Sequence, residues 1–77
     1  MNRNVIICRS ILENPAITQR ELAQALDVSL GTANNLVKEC ISEHLIALGG
    51  AYELLPAGLA LLKQYKVDGA LIIAAGF

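Results

Sequence analysis

Seventy-seven residues suffice for one domain with a modest core, and 55% hydrophobic against 17% charged residues is the balance of a globular chain. The longest clean apolar run, Ala70 to Ala75, is far shorter than the ~18 residues of a membrane span, and Val5 to Cys8 is too short for a signal-peptide core. No membrane partner is therefore expected, and the expected location is the cytoplasm. Six Lys and Arg against seven Asp and Glu leave a net charge of -1 and a pI near 5.6, so the basic excess typical of nucleic-acid binders is missing.

The spacing predicts a first helix over Val5 to Leu12, with Val5, Cys8, Ile11 and Leu12 inward. Asn14-Pro15 ends it, because the residue before proline is pushed out of the helical region. Thr18-Gln19-Arg20-Glu21 is a capping box and opens a second helix, whose inward stripe is Leu22, Ala23 and Leu26. Asp27-Val28-Ser29 is a short turn, with Ser29 the N-cap of a third helix. Ala33, Leu36, Val37, Cys40 and Ile41 give that helix its buried stripe over three turns.

Leu45 to Leu48 and Ala51 to Leu54 read as the strands of a hairpin, joined by a two-residue Gly49-Gly50 turn. Pro56 takes the first position of a fourth helix running to about Tyr65, with Leu59, Leu62 and Tyr65 inward. Residues 67–77, VDGALIIAAGF, return to strand character. The expected fold is mainly α with a small β-hairpin.

No constellation in residues 1–66 supports catalysis, and neither catalytic residue nor metal ligand is assigned. Cys8 and Cys40 have no CxxC spacing and fall at apolar helical positions, so buried free thiols are expected. His44 lies at a helix C-terminus, where a histidine is a favourable dipole partner. Glu39 and Glu43 share a helix face as solvated charges.

The block TQRELAQALDVSLGTANNLVKEC, residues 18–40, joins two helices by a turn so short that they must cross steeply. Ala23 is the small residue that lets them touch. This resembles a helix-turn-helix, and the hairpin after it makes the whole resemble a winged helix-turn-helix: a three-helix core, a β wing and a C-terminal helix. The string from Val5 to about Tyr65 is similar to winged helices of the MarR type. Its most specific part is the Ser-Leu-Gly-Thr-Ala-Asn-Asn run, residues 29–35.

The third helix would then be the recognition helix. Its face opposite the core holds Gly31, Asn34, Asn35, Lys38 and Ser42. Asn pairs with the adenine edge, and Lys reaches guanine or phosphate. The resemblance places DNA contacts on Arg20, Ser29, Gly31, Thr32, Asn34, Asn35 and Lys38. The alternative is that this face is merely solvated. Three departures from the family pattern stand out. The wing LIALGGAYEL carries no Lys or Arg, so binding should release few counterions. Asp27 and His44 occupy positions where glycine is usual, and Leu55 replaces the usual Thr or Ser cap of the fourth helix.

The tail Ala-Leu-Ile-Ile-Ala-Ala-Gly-Phe resembles the opening strand of the nucleotidyltransferases that activate phosphocholine and sugars. That resemblance implies a nucleotide-binding loop beginning at Ala74, Ala75 and Gly76. Residues 1–66 would form the winged helix, and residues 67–77 a linker and the first strand of a truncated transferase domain. This fragment would need no cofactor and would not be an enzyme. The parent would be a transferase using a nucleoside triphosphate with Mg2+, with its transferase domain in cis. Two other readings stand beside it: a free-standing MarR-type regulator, dimeric through its terminal elements, and a winged-helix domain that binds protein rather than DNA.

Overall fold

The computed structural model describes residues 2–65. The element order is α1 (Arg3–Glu13), α2 (Gln19–Leu26), α3 (Leu30–Ser42), β1 (Ile46–Leu48), β2 (Tyr52–Leu54) and α4 (Pro56–Tyr65). Four helices and one antiparallel hairpin make the fold mostly helical, as the sequence predicts. The tail, where the sequence predicts a strand, lies outside the described residues.

α1 is the centre of the core. It packs against α2, α3, α4 and β2, and Val5, Ile7, Cys8 and Ile11 are completely buried. Ile7 was not among the predicted inward residues, whereas Leu12 is only half-buried. The single stripe fails because a helix covered on several sides buries more than one face. Burying a large aliphatic side chain contributes about 1.5–3 kcal/mol, so α1 is an essential part of the core. Asn2 caps its start by accepting the Asn4 N–H at 2.7 Å. At its end Asn14 is extended, and its own side chain and carbonyl accept the N–H groups of Ala16 and Ile17 to form the turn.

The capping box forms as the sequence dictates. Thr18 Oγ1 accepts the Glu21 N–H at 3.1 Å, and Glu21 Oε1 accepts the Thr18 N–H at 2.9 Å. α2 ends with Asp27 in the left-handed region, at φ 57 and ψ 49. There the Val28 N–H donates to Ala23 O and the Asp27 N–H to Gln24 O, which is a Schellman end. α3 ends the same way. His44 has φ 61, its N–H donates to Ile41 O, and the Leu45 N–H donates to Cys40 O. Both glycine-like positions are thus real, and both are filled by residues that tolerate positive φ.

The inward stripe of α3 is narrower than predicted. Ala33, Val37 and Cys40 are buried and Leu36 is half-buried, but Ile41 is 38% exposed. Ile41 lies about 100° around the helix from Cys40, which puts it on the flank.

The hairpin also differs. Its register pairs Ile46 with Leu54, Ala47 with Glu53 and Leu48 with Tyr52. The loop is therefore three residues, Gly49-Gly50-Ala51, and not the two-residue turn, because the Gly49 N–H closes it onto Ala51 O at 3.2 Å. Leu45 lies between α3 and β1, and its N–H on Cys40 O completes the cap of α3. Its carbonyl accepts the Leu55 N–H at 3.0 Å and closes the base of the hairpin.

α4 starts at Pro56, as predicted. Its buried residues are Gly58 and Leu62, while Leu59 is half-buried and Tyr65 is 46% exposed. The helix turns toward Gly58 because the missing side chain lets it sit directly on the Leu45 carbonyl. Tyr65 falls in the last turn and extends beyond the packed part of that face.

Candidate nucleic-acid interface

α2 and α3 pack on each other across the Asp27–Ser29 turn, with Ala23 buried between them. This orients α3 so that Ala33, Val37 and Cys40 face the core. The opposite face presents Gly31, Asn35, Lys38 and Ser42, all exposed, with Asn34 half-buried at its edge. A Cβ built at Gly31 would meet no heavy atom within 4 Å, so the first turn of α3 is open to close approach. Arg20 is exposed in the first turn of α2.

Ser29 and Thr32 have a structural task. Ser29 Oγ accepts the Thr32 N–H at 3.1 Å, and the two hydroxyls bond at 3.0 Å. They cap α3 and remain exposed. The structure thus gathers Gly31, Asn34, Asn35 and Lys38 on one helix, places Ser29 and Thr32 at its start, and puts Arg20 on the neighbouring helix. Ala74, Ala75 and Gly76 lie outside the described residues.

One exposed residue at this site escaped the sequence reading. Leu30, the first residue of α3, is 47% exposed beside Gly31. It lies three residues before Ala33 and so merges with the helical repeat of the core stripe. An apolar side chain here has the chemistry to meet a thymine methyl group.

One carboxylate, Asp27, is exposed in the turn just before α3, and others lie farther along the chain. Glu39 and Glu43 are exposed toward its C-terminal end, and Glu53 is exposed on β2. On the wing, Ile46 and Leu54 share one face with Leu48 and Tyr52, while Ala47 and Glu53 share the other. The outward face of the wing therefore carries a carboxylate and a methyl group. A shallow groove of about 280 Å³ between the α1–α2 turn and the wing, lined by Ile17, Thr18, Leu48 and Tyr52 among others, shares no residue with the α3 face.

The remaining reactive groups are structural. Burial pushes the Cys8 thiol up to about 11 and that of Cys40 up to about 12, Cys40 being raised further by Cys8 and by Glu39 and Glu43. Both are free and buried, so they stay protonated and inert. His44 Nδ1 lies 3.2 Å from the Ser42 carbonyl oxygen, and bonds it whenever Nδ1 carries the proton. That contact answers an otherwise open carbonyl at the end of α3. No helix among the described residues is long and apolar enough to cross a membrane.

A three-helix core in which α2 packs on α3 across a short turn, a two-stranded wing and a closing helix define a winged helix-turn-helix. The family described as winged helix-turn-helix DNA-binding matches residues 6–47, more than half of the chain. This chain belongs to that family. Neither the curated proteins nor the solved structures yield a match.

Proposed function

We propose that this domain binds double-stranded DNA, with α3 entering the major groove and Arg20 of α2 contacting phosphate. The observation that carries the reading is the outward face of α3, where Asn35 and Lys38 are exposed beside the uncrowded Gly31. Asn35 is the base reader, suited to the adenine edge, and Lys38 reaches guanine or phosphate. Asn34, half-buried, is a flanking contact. The test is fluorescence anisotropy of the purified chain with labelled duplexes, first of mixed sequence and then from selection. Asn35→Ala should relax base preference, and Lys38→Ala should weaken binding to all sequences alike. Unchanged binding in both variants would refute the assignment of α3.

The wider setting is also a proposal. The MarR-like string favours a regulator, with a homodimer as its working form. Ala74-Ala75-Gly76 after an apolar run favours a nucleotidyltransferase parent, which would bring a nucleoside triphosphate with Mg2+ and a transferase domain in cis. Reading the gene beyond the Phe77 codon separates them. A Gly, then Ser or Thr, then Arg, supports the transferase, whereas a stop codon removes it.

A further inference from the structure

Resting on the DNA-binding reading, we propose that, among the described residues, Arg20 and Lys38 are the side chains that neutralise duplex phosphates, and that the wing contributes no cationic grip. The wing in domains of this kind is expected to hold the backbone with basic residues. Here the register decides otherwise. The outward face of the hairpin is Ala47 and Glu53, and its tip is Gly49, Gly50 and Ala51. No side chain on this surface can neutralise a phosphate. Glu53 is exposed, and a carboxylate beside phosphate is repelled.

The other described cations belong to other helices. Arg3 and Arg9 are on α1, where Arg9 faces Glu13 at 3.9 Å, and Lys63 is on α4. Toward the C-terminal end of α3, Glu39 and Glu43 add negative charge. Glu21 and Asp27 are exposed within the α2–turn–α3 segment itself, so attraction there is reduced to the Arg20 and Lys38 side chains.

This confinement has a measurable signature. Binding that neutralises Z phosphates falls with salt at a slope near -0.9Z, so two contacts give about -1.8, and a fourfold rise in salt weakens binding roughly 12-fold. A domain making 6–10 phosphate contacts would instead lose roughly 10³–10⁵ over the same range.

The test uses the whole chain and a fluorescein-labelled duplex of mixed sequence, titrated by anisotropy at several salt concentrations between about 50 and 200 mM. The expected slope of log K against log salt is about -2, with Arg20→Ala and Lys38→Ala each flattening it by about one. Glu53→Gln should bind as tightly as the parent or more tightly. All three residues are exposed, so each variant should keep its fold, which circular dichroism verifies. A steep slope that persists in the Arg20→Ala/Lys38→Ala double variant would overturn the proposal, because phosphates would then be held elsewhere. Weaker binding by Glu53→Gln would also overturn it, because the carboxylate would then be accepting a hydrogen bond from a base. Either result leaves DNA binding itself intact. Absence of binding at the lowest salt would remove both readings together.

Discussion

Helix propensity and packing give opposite answers for Gly58→Ala. Alanine in place of glycine within a helix gains up to about 0.8–1.0 kcal/mol from propensity alone. At Gly58, however, the added Cβ would come within 2.6 Å of Leu54 Cδ1 and closer still to the Leu45 carbonyl oxygen. The leucine methyl can turn aside. The carbonyl cannot, because it accepts the Leu55 N–H at 3.0 Å and its residue is tied to the end of α3 by the Leu45 N–H on Cys40 O. α4 must therefore back away, which loosens Leu62 in the core. Overpacking of this kind costs about 1–3 kcal/mol, and because the clash meets a backbone carbonyl that cannot move, the upper part of that range, about 2–3 kcal/mol, applies; setting the propensity gain of about 0.8–1.0 kcal/mol against it leaves a net loss of roughly 1–2 kcal/mol. At about 4–8 °C per kcal/mol for a domain of this size, the expected drop in Tm is roughly 5–15 °C by far-UV circular dichroism. A variant that melts at or above the parent temperature would show that α4 does not rest on Leu45, and the argument would fail.

Gly31→Ala is the companion, since nothing crowds its Cβ. It should leave Tm equal or slightly raised while weakening DNA binding, a separation that pairing anisotropy with thermal melting reads directly. Glu21 is held below the usual carboxylate range by the hydrogen bonds from Thr18. Its contribution is therefore full above the unfolded-state pKa and is lost as pH falls through the lower folded value, so an acid titration of Tm should lose part of its slope in Thr18→Ala. That substitution should also cost about 1 kcal/mol at neutral pH as a lost N-cap. Cys8 and Cys40, buried with raised pKa values, should resist a thiol reagent at neutral pH until the chain is unfolded in denaturant. Prompt labelling of the native protein would contradict the packing of α1 against α3.

The elements most legible in the sequence were those decided by neighbours in the chain. The Thr18–Glu21 box, the Ser29 cap, the left-handed Asp27 and His44, and Pro56 at the start of α4 each depend on a few consecutive residues. What escaped depended on partners far along the chain. Ile7 is buried because several elements surround α1, and Gly58 because α4 meets a carbonyl thirteen residues earlier. The wing shows the same limit at its sharpest. A two-residue turn would pair Ile46 with Glu53 and send the carboxylate toward the inward face, whereas the three-residue loop pairs Ala47 with Glu53 and turns it outward. One residue of register reverses the face, and the charge of the wing follows from it. At the α3 face, residue type and periodicity found Gly31, Asn35 and Lys38. Leu30 was hidden by the repeat it extends.

Leu45 also sets how the molecule opens. Its amide holds the end of α3, and its carbonyl holds the base of the hairpin beneath α4. Rupture at this residue releases α3, the wing and the closing helix together rather than one at a time. The amides of Leu45 and Leu55 should accordingly exchange with solvent as one cooperative unit, close to the global unfolding rate. The two-strand wing, too short to be stable alone, borrows its persistence from that shared joint.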